Sequence, residues 1–339
     1  MIHRTQIARS QIARSQVTRS QVTRGSWQLT LLVLFAVPSL WTVGRWVQPG
    51  FGVDAVSAVT PGHVSVVGAR ELPENLDAAA ADSLVRRALY FSGGIHKAFD
   101  ADAQWILVRV APEVTSSSQS DYLQVLESTL LALHDAADEA ELALLVGTLD
   151  GGDDAWNRTI AQHLQSPRLA SLNLEVLLVS EEETEAIDVP DSGLAADLYD
   201  LPIALLECDA VISIAHAQAP LAAMMNLDGL ARVTDAPPRP TQDPSNPHAV
   251  MVDLALLTEV SFTLTHLQPP GAPQMVLASR DGVAVDRVAA QIAGAASDSI
   301  SVSALHMARA RFLGQSDLAD IKVSGVDVPG TWVEVQEED

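Results

Sequence analysis

Apolar and polar positions alternate in blocks along most of the chain, and these blocks predict strands and helices in turn. Short runs rich in Val, Leu and Ile predict buried strands at 64–69, 105–110, 142–146, 174–179, 211–214, 262–264, 275–278 and 321–323. Longer segments with apolar residues three and four positions apart predict helices at 78–91, 121–137, 154–164, 285–292 and 304–313. Strands alternating with helices predict an α/β domain with a mostly parallel sheet and helices on both faces.

The segments between these elements have turn-forming or strongly charged compositions. Residues 181–188 are acidic and predict a solvated loop, while the proline-dense stretch 235–247 cannot form a helix or a central strand. Residues 250–257 are apolar throughout. The clearest strand–turn–helix unit is Met275–Gly294, where a polar turn separates an apolar run from a helical pattern. That order is common at the ligand-facing edge of α/β proteins.

The first 47 residues differ from the rest in composition. Residues 5–24 repeat one basic pentad four times (TQIAR, SQIAR, SQVTR, SQVTR), and this period fits neither a helix face nor a strand face. The repeat predicts a flexible arm that contacts a lipid surface. A short tandem duplication or a misplaced start codon explains it equally simply.

An uncharged apolar segment, residues 26–44, follows the arm and has tryptophans near both ends. It is just long enough to span a hydrocarbon core, so residues 26–47 are predicted to be an uncleaved transmembrane anchor. A cleaved signal peptide is the competing interpretation. Five arginines precede the segment and Arg45 directly follows it. The positive-inside rule therefore predicts a cytoplasmic N-terminus and an extracytoplasmic body.

These boundaries divide the chain into five parts. They are the arm (1–25), the anchor (26–47), a Pro- and Gly-rich linker (48–62), the α/β domain (63–330) and an acidic tail (331–339).

Charge and cysteine content narrow the possible functions. All 43 acidic residues lie after residue 45, so the body repels nucleic acid and anionic headgroups. The high acid and low lysine content suits a bacterial protein with a GC-rich genome or adaptation to salt. Cys208 is the one cysteine of the sequence, which excludes an intrachain disulfide, a four-cysteine zinc site and an iron–sulfur cluster ligated by this chain's cysteines.

Three spaced segments carry a family resemblance. LVRRALYFSGGIHKAFDADAQWILVRVAPEV (84–114) combines a helix, a Gly-Gly turn and a strand. DAVISIAHAQAP (209–220) and MMNLDGL (224–230) together form the second segment and supply an aspartate, a strand and an Asn-Leu-x-Gly match. The third segment begins at Met275 and supplies matches in the turn and helix of Met275–Gly294 and in a later Leu-Gly turn. The matching positions of the last two segments are Asp209, Asn226, Leu227, Gly229, Asp281, Ala284, Asp286, Gly294, Leu313 and Gly314. This layout resembles the domain-of-unknown-function family 362, from about residue 84 to 325.

The chain departs from that family at several polar positions. Arg109 falls at or near a family lysine, whereas Gln218, Pro220 and Met225 replace a lysine, a histidine and a second lysine. Some members carry ferredoxin-like clusters, and the corresponding cysteines are missing here. The resemblance therefore implies either a changed ligand or a loss of catalysis.

Candidate site residues follow from these motifs. Arg109, Asn226, Asp281 and Asp286 are predicted to bind a ligand. A divalent cation is predicted to use oxygen and imidazole ligands chosen from Asp281, Asp286, Asp253 and His248. Each has a structural alternative: Asp281 as a helix N-cap, Asp286 as a surface charge and Arg109 in an ion pair. Three more histidines, His216, His266 and His306, lie in or near the motifs.

The leading hypothesis is a membrane-anchored domain that binds a small molecule or a protein partner and has little or no catalytic activity. The first alternative is an enzyme that depends on a divalent cation. The second is a structural protein of the cell envelope. The usual nucleotide-binding, serine-hydrolase and zinc-protease motifs are missing from the sequence.

Overall fold

A computed structural model describes residues 65–333, apart from 74–75, 116, 138, 152–153, 191–192, 218–222, 224–225, 228, 234–241, 270–272 and 295–299. The predicted arm, anchor and linker lie outside the described residues, as does most of the acidic tail. Within the part that is described, no helix has the length and apolar character needed to cross a membrane.

The elements follow the order expected from the sequence. The strands are β1 (Ser65–Glu71), β2 (Trp105–Val110), β3 (Glu141–Val146), β4 (Glu175–Leu178), β5 (Thr184–Asp188), β6 (Leu198–Pro202), β7 (Ala210–Ala217), β8 (Arg232–Val233), β9 (Phe262–Leu267), β10 (Met275–Ser279), β11 (Ile321–Ser324) and β12 (Trp332–Val333). The helices are α1 (Ala78–Phe91), α2 (Gln119–Ala136), α3 (Asp154–His163), α4 (Ile203–Glu207), α5 (Pro247–Thr258), α6 (Gly282–Ile292) and α7 (Ile300–Ala310). Short 3-10 turns occupy Ile95–Lys97, Val179–Glu181 and Leu318–Asp320.

The main sheet has nine strands in the order β12-β11-β1-β10-β9-β7-β2-β3-β4. Among these described strands, β10 runs antiparallel to both neighbours and the other eight share one direction. The predicted α/β class and mostly parallel sheet are therefore confirmed. Continuous burial of β2, β3 and β9 explains why these strands are apolar at nearly every position.

Helices cover the two faces of the sheet with separate clusters. Residues of α1, α2 and α3 pack on the face that carries Val108, Ile212 and Leu264. Helices α4, α5 and α6 contribute to the clusters on the opposite face, which carries Leu107, Val211 and Leu277. The sheet is thus a buried layer between helices, and its strand ends hold the polar groups described below.

A second sheet, β5-β6-β8, was not predicted. The prediction of a loop at 181–188 is wrong in part, because Thr184–Asp188 pairs antiparallel with β6. Four of the five β5 side chains are exposed, so the acidic residues are solvated although the backbone is a strand. Charged side chains commonly occupy such edge strands, where they discourage pairing with other chains.

Candidate functional site

Of the candidate residues, Arg109 lies near the carboxyl end of β2 and Asn226 follows the carboxyl end of the neighbouring parallel strand β7. From β2 the chain proceeds outwards to β3 and β4, and it then returns to place β7 on the other side of β2. The order of strands therefore reverses between β2 and β7. Open α/β sheets bind ligands in the crevice outside such a reversal point.

Arg109 and Asn226 are hydrogen-bonded to each other, and their other described bonds go to backbone carbonyls and to a strand side chain. Arg109 is fully buried, and its Nε donates to the Asn226 carbonyl at 2.9 Å while its Nη1 donates to the Gly147 carbonyl at 2.6 Å. The Asn226 amide donates to Ser213 Oγ at 2.7 Å. These bonds fasten the segments that follow β3 and β7 to the strand ends.

Asp286 supports the same segment from α6. Its Oδ1 accepts from the Ala223 N–H at 2.8 Å, and the side chain is fully buried. Gly229 closes the segment with φ +71°, and an added Cβ there would lie 2.5 Å from the Thr148 side chain. Arg109, Asn226 and Asp286 are therefore brought together, as anchors of residues 223–230.

Asp281 caps helix α6. Its Oδ1 accepts from the Ala284 N–H at 2.9 Å, and its Oδ2 accepts from the Gln315 N–H at 2.8 Å and from Ser65 Oγ at 2.5 Å. Burial raises the pKa of Asp281, and these hydrogen bonds lower it in part. The carboxylate therefore joins three segments of the chain through its cap position.

Asp253 and His248 both lie on α5. Asp253 is fully buried, with Oδ1 accepting from the Leu194 N–H at 2.7 Å and Oδ2 accepting from the Ala195 N–H at 2.8 Å and the Tyr199 hydroxyl at 3.0 Å. His248 occupies the first turn, where its N–H donates to Asn246 Oδ1 at 3.1 Å. Within the described residues, no three His, Cys, Asp or Glu side chains could together hold a metal ion.

The sequence did not predict a second arrangement at the same edge, a pair of histidines. His216 on β7 and His266 on β9 are register partners, and their Nδ1 atoms lie 3.3 Å apart. His266 Nε2 lies 3.0 Å from Gln274 Oε1. The Tyr122 ring packs edge-on against His216 with centroids 5.9 Å apart, and its hydroxyl donates to the Ile214 carbonyl at 2.8 Å.

The hydrogen bonds determine the tautomers of the pair. Gln274 Oε1 accepts, so His266 carries its proton on Nε2 and offers a lone pair on Nδ1. His216 must then donate from Nδ1, which leaves the lone pair on its Nε2. That Nε2 is buried and meets no hydrogen-bond partner among the described residues. The pair therefore presents one imidazole acceptor at the sheet edge.

Both imidazoles are neutral near pH 7. Burial lowers the pKa of His216 to about 4; the neighbouring His266 ring adds to the lowering, and a hydrogen bond with the His266 backbone opposes it. Burial also lowers the pKa of His266, while Gln274 and Asp121 oppose that change. A neutral His216 can accept a hydrogen bond at Nε2 but contributes no positive charge to the site.

A sequence signal for the pair existed but was incomplete. Each histidine comes at the end of an apolar run, at positions 216 and 266. Their contact depends on β7 and β9 being neighbours in parallel register, and the periodicity of a single sequence does not reveal which strands pair.

Comparisons with known proteins add little to this geometry. No family model matches the chain, and no curated protein matches it. One similar solved structure is the lactate racemase apoprotein from Thermoanaerobacterium thermosaccharolyticum, which has 16% sequence identity and a TM-score of 0.39 over 55% of this chain. The match covers 48% of that chain, about half its length. At this distance the likeness carries no argument, and membership in family 362 stays a prediction.

Proposed function

We propose that the α/β domain binds a small molecule at the carboxyl edge of β2, β7 and β9, and that His216 Nε2 accepts a hydrogen bond from it. The observation that carries this proposal is the buried Nε2 lone pair without a described partner. A buried acceptor left without a donor costs about 1–3 kcal/mol, which a bound hydroxyl or amide would recover.

The electrostatics favour an uncharged ligand at this edge. The chain carries a net charge of −23, and the imidazole pair is neutral near pH 7. An anion would find no positive charge on the pair, whereas a neutral O–H or N–H group would find an acceptor of suitable chemistry. We therefore assign the ligand to the class of uncharged hydrogen-bond donors.

A binding role fits the anchors better than an enzyme that depends on a divalent cation. The oxygens of Asp253 and Asp281 already accept from amide and hydroxyl donors. A cation would have to displace those bonds and thereby undo the local fold. The family resemblance, with several polar positions replaced, supports the same proposal of a ligand-binding or catalytically degenerate domain.

We also keep the membrane anchor at residues 26–47 as a proposal supported by the sequence pattern. A reporter fused to the C-terminus tests it: activity of a reporter that works outside the cytoplasm is expected. Activity of a reporter that works in the cytoplasm would contradict the orientation.

Phenol and anisole test the binding proposal, because both carry an oxygen on a phenyl ring and only phenol has an O–H donor. We expect phenol to shift the ¹⁵N and ¹H signals of His216 in the full chain, and anisole to do so at least about tenfold more weakly. His216→Phe removes the acceptor and should abolish the preference, while His134→Phe, at a partly exposed histidine on α2 outside both proposed sites, should leave it intact. Equal binding of both probes to the wild-type protein would contradict the proposal.

A further inference from the structure

A groove beside the end of helix α1 combines aromatic rings with positive charge. It has a volume of about 340 Å³ and is lined by Val66, Tyr90, Phe91, Gly93, Gly94, His96, Lys322 and Ser324. Its floor comes from β1 and β11, where Val66 and Lys322 are register partners. It shares no residue with the histidine pair.

The sequence explains why the groove forms at this place. Gly68 lets α1 lie directly on β1, since a Cβ there would come within 2.0 Å of the Ala88 carbonyl oxygen. The helix then ends at Phe91, and the chain turns away through Gly93 and Gly94, whose φ angles are +98° and +94°. The surface of β11 next to α1 therefore borders an open groove.

The aromatic side of the groove is unusually exposed for this protein. Aromatic residues make up 4% of the chain, yet Tyr90 is 73% exposed and contacts the Phe91 ring edge-on at 5.6 Å. The Arg70 guanidinium lies over the Phe91 ring, 4.3 Å from its centroid. Exposed aromatic surface beside polar groups is characteristic of ligand-binding grooves.

The side chains that line the groove include a lysine and no acidic residue, in contrast to the acidic composition of the whole chain. The chain has 43 acidic and 20 basic residues, but none of the residues that line the groove is acidic. Of the two lysines of the chain, Lys322 lines the groove and Lys97 does not. Burial and the nearby Arg87 lower the pKa of Arg70, which is consistent with a concentration of positive charge here.

We infer that this groove binds a small organic anion with a flat apolar body, such as an aryl carboxylate. The ring would stack on the exposed Tyr90 ring and meet the Phe91 ring at a steep angle, because those two rings are inclined by 73°, and the carboxylate would pair with Lys322. The volume lies near the lower end of the range for small-molecule pockets, which fits a molecule of one or two rings. This site is additional to the one at the histidine pair and takes a ligand of opposite character.

Titration of the full chain with 2-naphthoate, followed by fluorescence, tests the inference. Saturable binding is expected, and Lys322→Met should weaken it about tenfold because one charge-assisted hydrogen bond is lost. Lys322→Arg should restore most of the affinity. Lys97→Met removes the other lysine, which does not line the groove, and should change the affinity less than about twofold.

Two further comparisons keep the outcome decisive if Lys322→Met does not fold. Tyr90→Ala removes an exposed ring and should weaken 2-naphthoate binding without unfolding the protein. Uncharged 2-naphthamide should bind the wild-type protein more weakly than 2-naphthoate does. Absence of saturable binding, equal binding of the acid and the amide, or equal losses in the two lysine variants would overturn the inference.

Discussion

Asp253 is the clearest case of a residue whose chemistry serves the fold. Its two oxygens accept from the amides of Leu194, Ala195 and Ala196 and from the Tyr199 hydroxyl, all within 3.3 Å. Burial and the adjacent Asp253 charge raise the pKa of Tyr199, so the hydroxyl keeps its proton and donates. Nothing in the sequence pattern distinguishes such a carboxylate from a metal ligand, because its donors come from a segment more than fifty residues away.

Asp253→Asn should therefore lower the free energy of unfolding by about 2–3 kcal/mol, because an NH₂ group would face amide donors. Urea unfolding of the full chain measures this as a lower midpoint at an unchanged slope. Asp100→Asn, at an exposed position, is the matched control and should shift the midpoint very little. Equal midpoints for the two variants would contradict the structural role of Asp253.

The lowered pKa of His216 predicts that stability decreases in acid. Its pKa is about 4 in the folded chain, compared with an ordinary value of 6.5. Between these values the unfolded chain binds a proton that the folded chain does not, so the free energy of unfolding falls as pH decreases from 6.5 to 4. Each unit by which the pKa is lowered corresponds to about 1.4 kcal/mol of the free energy of unfolding.

Thermal unfolding at several pH values should show that the wild-type protein loses stability as the pH decreases from 6.5 to 4. The same measurement on His216→Phe should show a smaller loss. His266 keeps part of the dependence in that variant, since burial lowers its pKa as well. Burial raises the pKa of Asp281, so protonation of this carboxyl increases the free energy of unfolding as the pH decreases, opposite to the effect of His216. Parallel pH profiles for the wild-type protein and His216→Phe would be inconsistent with a neutral buried imidazole.

At the scale of elements, the segment 223–230 depends on anchors from three different places. Arg109 on β2, Ser213 on β7 and Asp286 on α6 each bind it. Asn226→Ala removes its side-chain bond to Ser213 and should accelerate amide hydrogen exchange across 223–230, at a cost of about 1–3 kcal/mol in local opening. Exchange in β3 should not change.

Thr159→Ala on α3 is the matched control, because that hydroxyl is exposed and donates to the Ala155 carbonyl of its own helix at 2.9 Å. If Thr159→Ala accelerates exchange in 223–230 as much as Asn226→Ala does, the anchoring role of Asn226 is contradicted.

Elements defined by the burial of their own residues can be predicted from the sequence. Features that depend on which strands pair with each other cannot. Strands β2 and β3 are predicted closely because burial on both faces leaves continuous apolar runs, whereas the prediction at 211–214 covers half of β7 (Ala210–Ala217) and stops before His216. Helix α5 was recognised as apolar but not as a helix, since it is buried on most sides and lacks a polar stripe. Its start follows ordinary rules, with Asn246 as N-cap and Pro247 in the first turn.

The candidate site was predicted less well than the fold. Arg109, Asn226 and Asp286 were chosen from motif positions and do converge, but their described contacts are with backbone and strand side chains. The histidine pair was missed as a pair because strand order decides it. Local pattern thus locates polar residues at strand ends, whereas tertiary pairing decides what each one touches.

For the whole molecule, the dominant property is its negative charge. With a net charge of −23 and a sequence pI near 4.5, the folded chain repels itself at neutral pH. Raising NaCl from about 0.02 M to about 0.5 M should raise the Tm at pH 7, because salt screens that repulsion.

The same salt series at pH 4.5, where the net charge is close to zero, is the control and should give a much smaller change. A Tm that falls with salt at pH 7 would mean that attractive surface pairs outweigh the net repulsion. The account of the acidic body would then be wrong.

The proposed binding site depends on an unprotonated His216 Nε2 at the carboxyl edge of the sheet. Two-bond ¹H–¹⁵N spectra of the histidine-labelled full chain, recorded from pH 8 down to pH 4, measure this protonation state. We expect a proton on His216 Nδ1, a lone pair on Nε2, and no titration until the pH approaches 4. A proton on Nε2 at neutral pH, or titration near pH 6.5, would contradict it.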